Sequence, residues 1–238
     1  MASKIQILQN PLTISRDDLG IFKSTLLPSI QLHSGLAVIA YGFGRYTNRL
    51  EAKDWLWPSG QVINAWWSAI GRRVYAGLPL SQAWSILTWS EKLLLSGVSI
   101  WGLRLFYRIA SRSILRGEDD PRYAEVKKEK GFWNNALFST FLPEAVFQTV
   151  ISLPFTAPFR SEPVLALGGD PRWSGVVRSA ACGVFAAGLA LEVLADAQIA
   201  RYRSEGRRDL DREGVFSIVR HPKYVRVRLC VCVDVLTC

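Results

Sequence analysis

Apolar and polar positions in this chain fall in long blocks. Mostly apolar runs occupy residues 26–44, 62–80, 93–115, 135–159 and 176–195, each near the roughly 20 residues that an α-helix needs to cross a bilayer core. The run 62–80 is interrupted by Arg72 and Arg73 and reads as a tilted span or an in-plane amphipathic helix, with the span preferred. Before it, Lys53-Asp54-Trp55-Leu56-Trp57-Pro58 reads as an interfacial belt, because Trp favours headgroup depth. The pattern predicts an all-α polytopic transmembrane helical bundle, with about five spans before a basic cytoplasmic tail. Its expected segments are a polar N-terminus over 1–25, a single membrane domain over 26–225 and an atypical C-terminal tail over 226–238. Residues 1–25 carry Arg16, Asp17 and Asp18 and lack a basic-then-apolar order, so no cleaved signal peptide is expected.

Composition supports this class. The chain has 238 residues, 49% of them hydrophobic, and nine Trp, which is too apolar in blocks for an ordinary soluble domain. Its net charge of +9 could suit nucleic acid, but the cations flank the apolar runs and form no basic domain of their own. Positive loops retained on the cytoplasmic side account for them, and the bilayer is the expected partner. With 112–134 and 196–228 inside, an odd number of crossings puts the N-terminus in the lumen. Two histidines, no paired C-x-x-C and no H-E-x-x-H, Walker or G-x-S-x-G motif mean that no metal site is expected. The classes left are redox or group transfer with a carried cofactor, and a non-catalytic membrane protein.

Charges inside the apolar runs are informative. Arg104, Arg108 and Arg112 recur at spacings of four and form one helical stripe. A cation near mid-span, as Arg104 is, costs on the order of 3 kcal/mol and calls for a partner. Glu144 lies in the next run, with Gln148 one turn later on the same face. Arg104 and Glu144 are expected to meet, either as an ion pair fixing register or in binding. His33 is expected to pack or hydrogen-bond. The polar loop 116–133 reads as a connector, and a second reading places Arg116, Arg122 and Tyr123 at a cofactor rim.

After the last run, Asp196 and Arg203 are seven residues apart, about two helical turns, so they share a face. Arg207, Arg208 and then Arg220-His221-Pro222-Lys223-Tyr224 follow. Guanidiniums bind phosphate through paired hydrogen bonds and a carboxylate can take a ribose hydroxyl, so the set suits a phosphorylated cofactor.

The order Asp-x-Gln, Arg-Tyr-Arg, Gly-x-Phe and Arg-His-Pro-x-Tyr, together with Trp101-Gly-Leu-Arg-Leu, Arg116 through Tyr123 and Ile151-Ser-Leu-Pro154, resembles the steroid 5-alpha-reductase-like membrane reductases. The likeness is to a branch of unknown substrate and covers roughly residues 55 to 224. It implies hydride transfer from NADPH to a carbon–carbon double bond of a lipophilic substrate, sterol-like or long-chain, with endoplasmic reticulum as the expected membrane. Asp196, Arg203, Arg207, Arg220 and Lys223 would then bind the cofactor, and His221 and Tyr224 would be catalytic, with Tyr224 supplying or relaying the proton. A sister family with a similar motif implies the alternative of an S-adenosylmethionine-dependent methyltransferase. Arg203, Arg207 and Arg208 suit a 2′-phosphate better. The family motif has Asn where Lys223 stands, followed by Gly-Glu and an aromatic helix. The ending VRVRLCVCVDVLTC departs from this, so a truncated or altered C-terminus is expected, and with it the further alternative of an inactive membrane protein.

Overall fold

A computed structural model describes residues 22–160, 171–206, 214 and 216, and no strand occurs among them. After a π-turn at Phe22–Leu26, helix α1 (Leu27–Thr47) starts on Pro28 and ends at Asn48, whose φ of 56° is left-handed. Asn is one of the few side chains that tolerates this C-terminal geometry.

Helix α2 (Ala52–Trp66) continues through a π-turn, Trp67–Gly71, into α3 (Arg72–Tyr75), and the chain turns at Gly77 with φ 95°. The helical run therefore begins some way before the expected 62–80, and Lys53 to Pro58 lie inside a helix. The reason is a distant cap. The Asp119 carboxylate accepts the backbone N–H groups of Leu50 (2.9 Å) and Glu51 (3.0 Å), satisfying donors that a helix start leaves unpaired and placing negative charge at its positive end.

After the short α4 (Leu80–Ser85), α5 (Trp89–Arg116) opens on a capping box. Glu91 N–H donates to Thr88 Oγ1 at 3.2 Å while Thr88 N–H donates to Glu91 Oε2 at 2.7 Å, the reciprocal arrangement that fixes a helix start. Gly117 ends it with φ 72°. Then α6 (Phe132–Ala136), a π-turn at Leu137–Phe141, α7 (Leu142–Thr156) and a 3₁₀ turn at Ala157–Phe159 follow one another, and α8 spans Pro171–Ser204.

Three helical stretches among the described residues are long and apolar enough to cross a membrane: Trp89–Arg116, Phe132–Phe159 and Ser179–Tyr202. These match the last three expected runs. Helices α1 and α2, which cover most of the first two runs, carry Ser29, His33, Gln61, Asn64 and Ser68 at buried positions.

The chain divides into two units, Met1–Ser161 and Glu162–Cys238. In the first unit α1, α2 and α7 pack together and α5 packs on α2. One apolar cluster gathers Ala37, Leu50, Phe132, Phe141 and Ala145, and another gathers Ala69, Leu87, Leu95, Phe155 and Phe159. Between them lies a polar seam.

Candidate functional site

The first half of the site is a charged mouth built where loop 117–131 folds over the start of α2. Glu51, almost fully buried, binds Arg49, accepts from Ser113 Oγ at 2.5 Å and pairs with Arg116 at 3.3 Å. Arg116 also pairs with Asp120 at 3.0 Å, and Asp119 with Lys127 at 2.9 Å. A hydrogen bond from Arg122 holds the Asp120 carboxyl well below the usual carboxylate range. Burial alone would raise Asp119, but its bonds from Lys127 and from the Leu50 and Glu51 N–H groups outweigh that and lower it.

The Tyr123 hydroxyl donates to Asp54 at 2.7 Å, and the Lys53 ammonium stands 5.1 Å from the Tyr123 ring centroid, within cation–π range. Burial first, and then the bond to Asp54, push the Tyr123 phenol up, so it stays protonated and donates. Lys53 Nζ pairs with Glu144 Oε2 at 3.2 Å. The expected partner of Glu144 was Arg104. That reading is corrected at Glu144, because α2 runs beside α7 and brings Lys53 to the carboxylate.

The second half is the polar seam. Each of three packed helical segments carries polar side chains one turn apart: Thr25, Ser29 and His33; Gln61, Asn64 and Ser68; Gln148, Ser152 and Thr156, all buried. At its centre Asn64 Nδ2 donates to Ser152 Oγ at 2.9 Å and lies 3.4 Å from His33 Nε2. Asn64 Oδ1 accepts from Ser29 at 3.4 Å and Ser68 at 3.5 Å. Gln61 Nε2 donates to the Gln148 carbonyl at 3.2 Å, and Arg160 closes the far end on Ser68 Oγ at 2.7 Å. Buried polar groups are satisfied in nearly all proteins, and here Ser29 with Asn64, Asn64 with Ser152 and Gln61 with the Gln148 carbonyl bond across helices. A small cavity of about 10 Å³, room for about one water, is lined by His33 and Gln148 of the seam and by Lys53 and Glu144 of the mouth.

In the second unit, α8 carries Glu192 and Asp196 one turn apart, and Asp196 is only 4% exposed. Arg203 belongs to the same helix two turns on. Arg207, Arg208, Arg220, His221, Lys223 and Tyr224 lie outside the described residues.

The chain matches the model of a family of proteins of unknown function, DUF1295, over residues 40–233. It belongs to that family. DUF1295 is a steroid 5-alpha-reductase-like family of unknown function. No curated protein and no solved structure matches this chain.

Sequence reasoning alone did not find several residues of this DUF1295 protein's site. Lys53 and Asp54 were hidden in a stretch read as interfacial, Glu51 lies just before it, and Asp119 is in a loop read as a connector. Arg122 and Tyr123, considered for a rim, do join the mouth. Asn64 and Ser68 could have been found from polar residues recurring every four positions inside apolar runs, the periodicity of a buried helical face.

Proposed function

We propose that this DUF1295 protein is an NADPH-dependent membrane oxidoreductase that reduces a carbon–carbon double bond of a lipophilic, sterol-like or long-chain substrate in the endoplasmic reticulum, with its N-terminus lumenal. The observation that carries the reading is Asp196, a buried carboxylate on the apolar helix α8, two turns before Arg203 and the arginines that follow. An ionisable group buried on a membrane helix is a functional group by default, because its burial is costly. Membership of a steroid 5-alpha-reductase-like family agrees with it.

The donor set has the chemistry that NADPH requires. Asp196 accepts from ribose hydroxyls, and Arg203, Arg207, Arg220 and Lys223 neutralise phosphates, with a guanidinium suited to the 2′-phosphate. NADPH held by these residues would supply the hydride for one carbon of the double bond. Tyr224 would give a proton to the neighbouring carbon and take one back from solvent, with His221 as the second catalytic residue.

Binding tests the assignment. Purified protein in detergent is titrated with NADPH and NADH while Trp fluorescence is followed. Saturable quenching by NADPH alone, weakened at least tenfold in Asp196→Asn and Arg203→Ala, supports the reading. Equal quenching by both nucleotides, or saturable quenching by S-adenosylmethionine in place of NADPH, rejects it.

A further inference from the structure

Charge is divided unevenly between the two ends of the first unit. The mouth pairs its cations with acids. The opposite end, where Arg160 closes the seam, carries Arg72, Arg73 and Arg160, and residues 22–50, 55–90 and 145–160, which supply it, contain no Asp or Glu. Arg160 donates to the Thr25 carbonyl at 2.6 Å and to Ser68 Oγ at 2.7 Å, and Arg73 to the Ala69 carbonyl at 3.0 Å. Arg72 lies close enough to both to feel their repulsion. Among the described residues no carboxylate pairs with Arg72 or Arg73. Like charges gathered in this way are stabilised by an anion that joins them.

Arg72 also lines an open pocket of about 340 Å³, together with Pro28, Gln31, Leu32, Trp67 and Tyr75, a volume within the range of small-ligand sites. The Trp67 and Tyr75 rings stand 6.2 Å apart. Gly71 lets Trp67 lie against the helix, since a methyl carbon there would be 2.5 Å from its ring. Neighbouring aromatics mark the depth of the pocket. Helix α4 packs beside Trp67–Gly71 and α3, and its Trp84 stacks on Trp66 with centroids 6.3 Å apart. Lys92 Nζ is 5.5 Å from the Trp84 ring, and Trp89 is exposed. Trp and Tyr gather at headgroup level in a bilayer, with basic side chains beside them. Leading away from the pocket along α1, Leu32, Gly35, Ile39 and Phe43 share one face. Ile39 and Phe43 are exposed, and a methyl on Gly35 would meet nothing within 4 Å. This apolar track runs roughly 16 Å at 1.5 Å per residue.

We propose that this pocket binds an anionic glycerophospholipid through its phosphate. Arg72 takes the phosphate oxygens through paired hydrogen bonds, Arg73 and Arg160 add positive potential, and one acyl chain lies along the α1 track. A choline headgroup would bring its ammonium beside these guanidiniums with no carboxylate among the described residues to offset them. Inorganic phosphate would leave the apolar track uncovered. The site is built from α1, the π-turn after α2 and α3, and it does not depend on the reductase reading.

Native mass spectrometry of the full-length protein in detergent tests this, with palmitoyl-oleoyl phosphatidylglycerol, the matching phosphatidylcholine, or inorganic phosphate added. The chain is expected to retain phosphatidylglycerol in preference to phosphatidylcholine, and inorganic phosphate should not displace it. Arg72→Gln should weaken that retention roughly fivefold, whereas Lys128→Gln, a change to an exposed cation of loop 117–131, should leave it unaltered. A second measurement needs no variant. Phosphatidylglycerol carrying a photoreactive diazirine in its headgroup is cross-linked to the unsubstituted chain, with adducts expected on Gln31, Trp67 or Tyr75. Equal retention of the two lipids, displacement by inorganic phosphate, equal weakening by both substitutions, unweakened retention in Arg72→Gln, or adducts confined to other residues overturns the proposal.

Discussion

Lys53 Nζ and Glu144 Oε2 stand 3.2 Å apart although 91 residues separate them in the chain. The pair ties the first turn of α2 to the start of α7, beside the small cavity that His33 also lines. Both side chains are about one-fifth exposed, so solvent screens the pair in part. Lys53→Ala is expected to lower stability by about 1–2 kcal/mol, because it leaves a half-buried carboxylate without its cation. Lys53→Ala combined with Glu144→Gln should cost less than Lys53→Ala alone. Thermal unfolding of the detergent-solubilised variants, followed by Trp fluorescence, measures both.

Glu51 should be the more costly loss. It is 2% exposed and satisfies Arg49, Arg116 and Ser113 together. Removing one member of a buried charge network leaves the others uncompensated and costs about 3–5 kcal/mol. Glu51→Ala is expected in that range by chemical unfolding, with Ser113→Ala well below it.

Acid should release loop 117–131 before it unfolds the helices. Asp119 and Asp120 are both lowered, so they bind protons less tightly folded than unfolded. Their contribution is fully present above the unfolded carboxylate value of about 3.9 and is lost as pH falls through their lowered folded values. Hydrogen exchange of the loop amides should accelerate as pH drops below about 4 after correction for intrinsic rates, while the amides of α5 stay protected. Asp119→Asn should show fast loop exchange already at neutral pH.

Close packing of α5 on α2 depends on Gly102. A methyl carbon there would lie 2.3 Å from Val62 Cγ2 and 3.1 Å from the Pro58 carbonyl. Overpacking of this kind costs about 1–3 kcal/mol, so Gly102→Ala should lower the unfolding midpoint. The double variant Gly102→Ala with Val62→Ala should recover part of the loss, since the two changes share one contact.

The helices were legible from block length alone, because a run of apolar residues near bilayer thickness has few other stable forms. The start of α2 was not. Its first turn is held by Asp119, far along the chain, and local pattern cannot report a cap that arrives from a distant loop. The same limit explains Glu144. Spacing identified it as an intramembrane acid needing a cation, but the choice of Lys53 over Arg104 follows from which helices pack together. In α8 the shared face of Asp196 and Arg203 was legible from their spacing of seven, whereas the burial of Asp196 was not, because the sequence pattern put it beyond the last apolar run.

Transfer of deuteride tests the reductase account most directly. The full-length protein, reconstituted in liposomes with an endoplasmic-reticulum lipid extract, is supplied with NADPH deuterated at the reactive carbon of the nicotinamide, and lipids are analysed by mass spectrometry. The account predicts a lipid gaining one deuterium from the cofactor and one hydrogen from solvent, dependent on Tyr224 and Asp196. Saturable NADPH binding with no deuterium entering any lipid would contradict it.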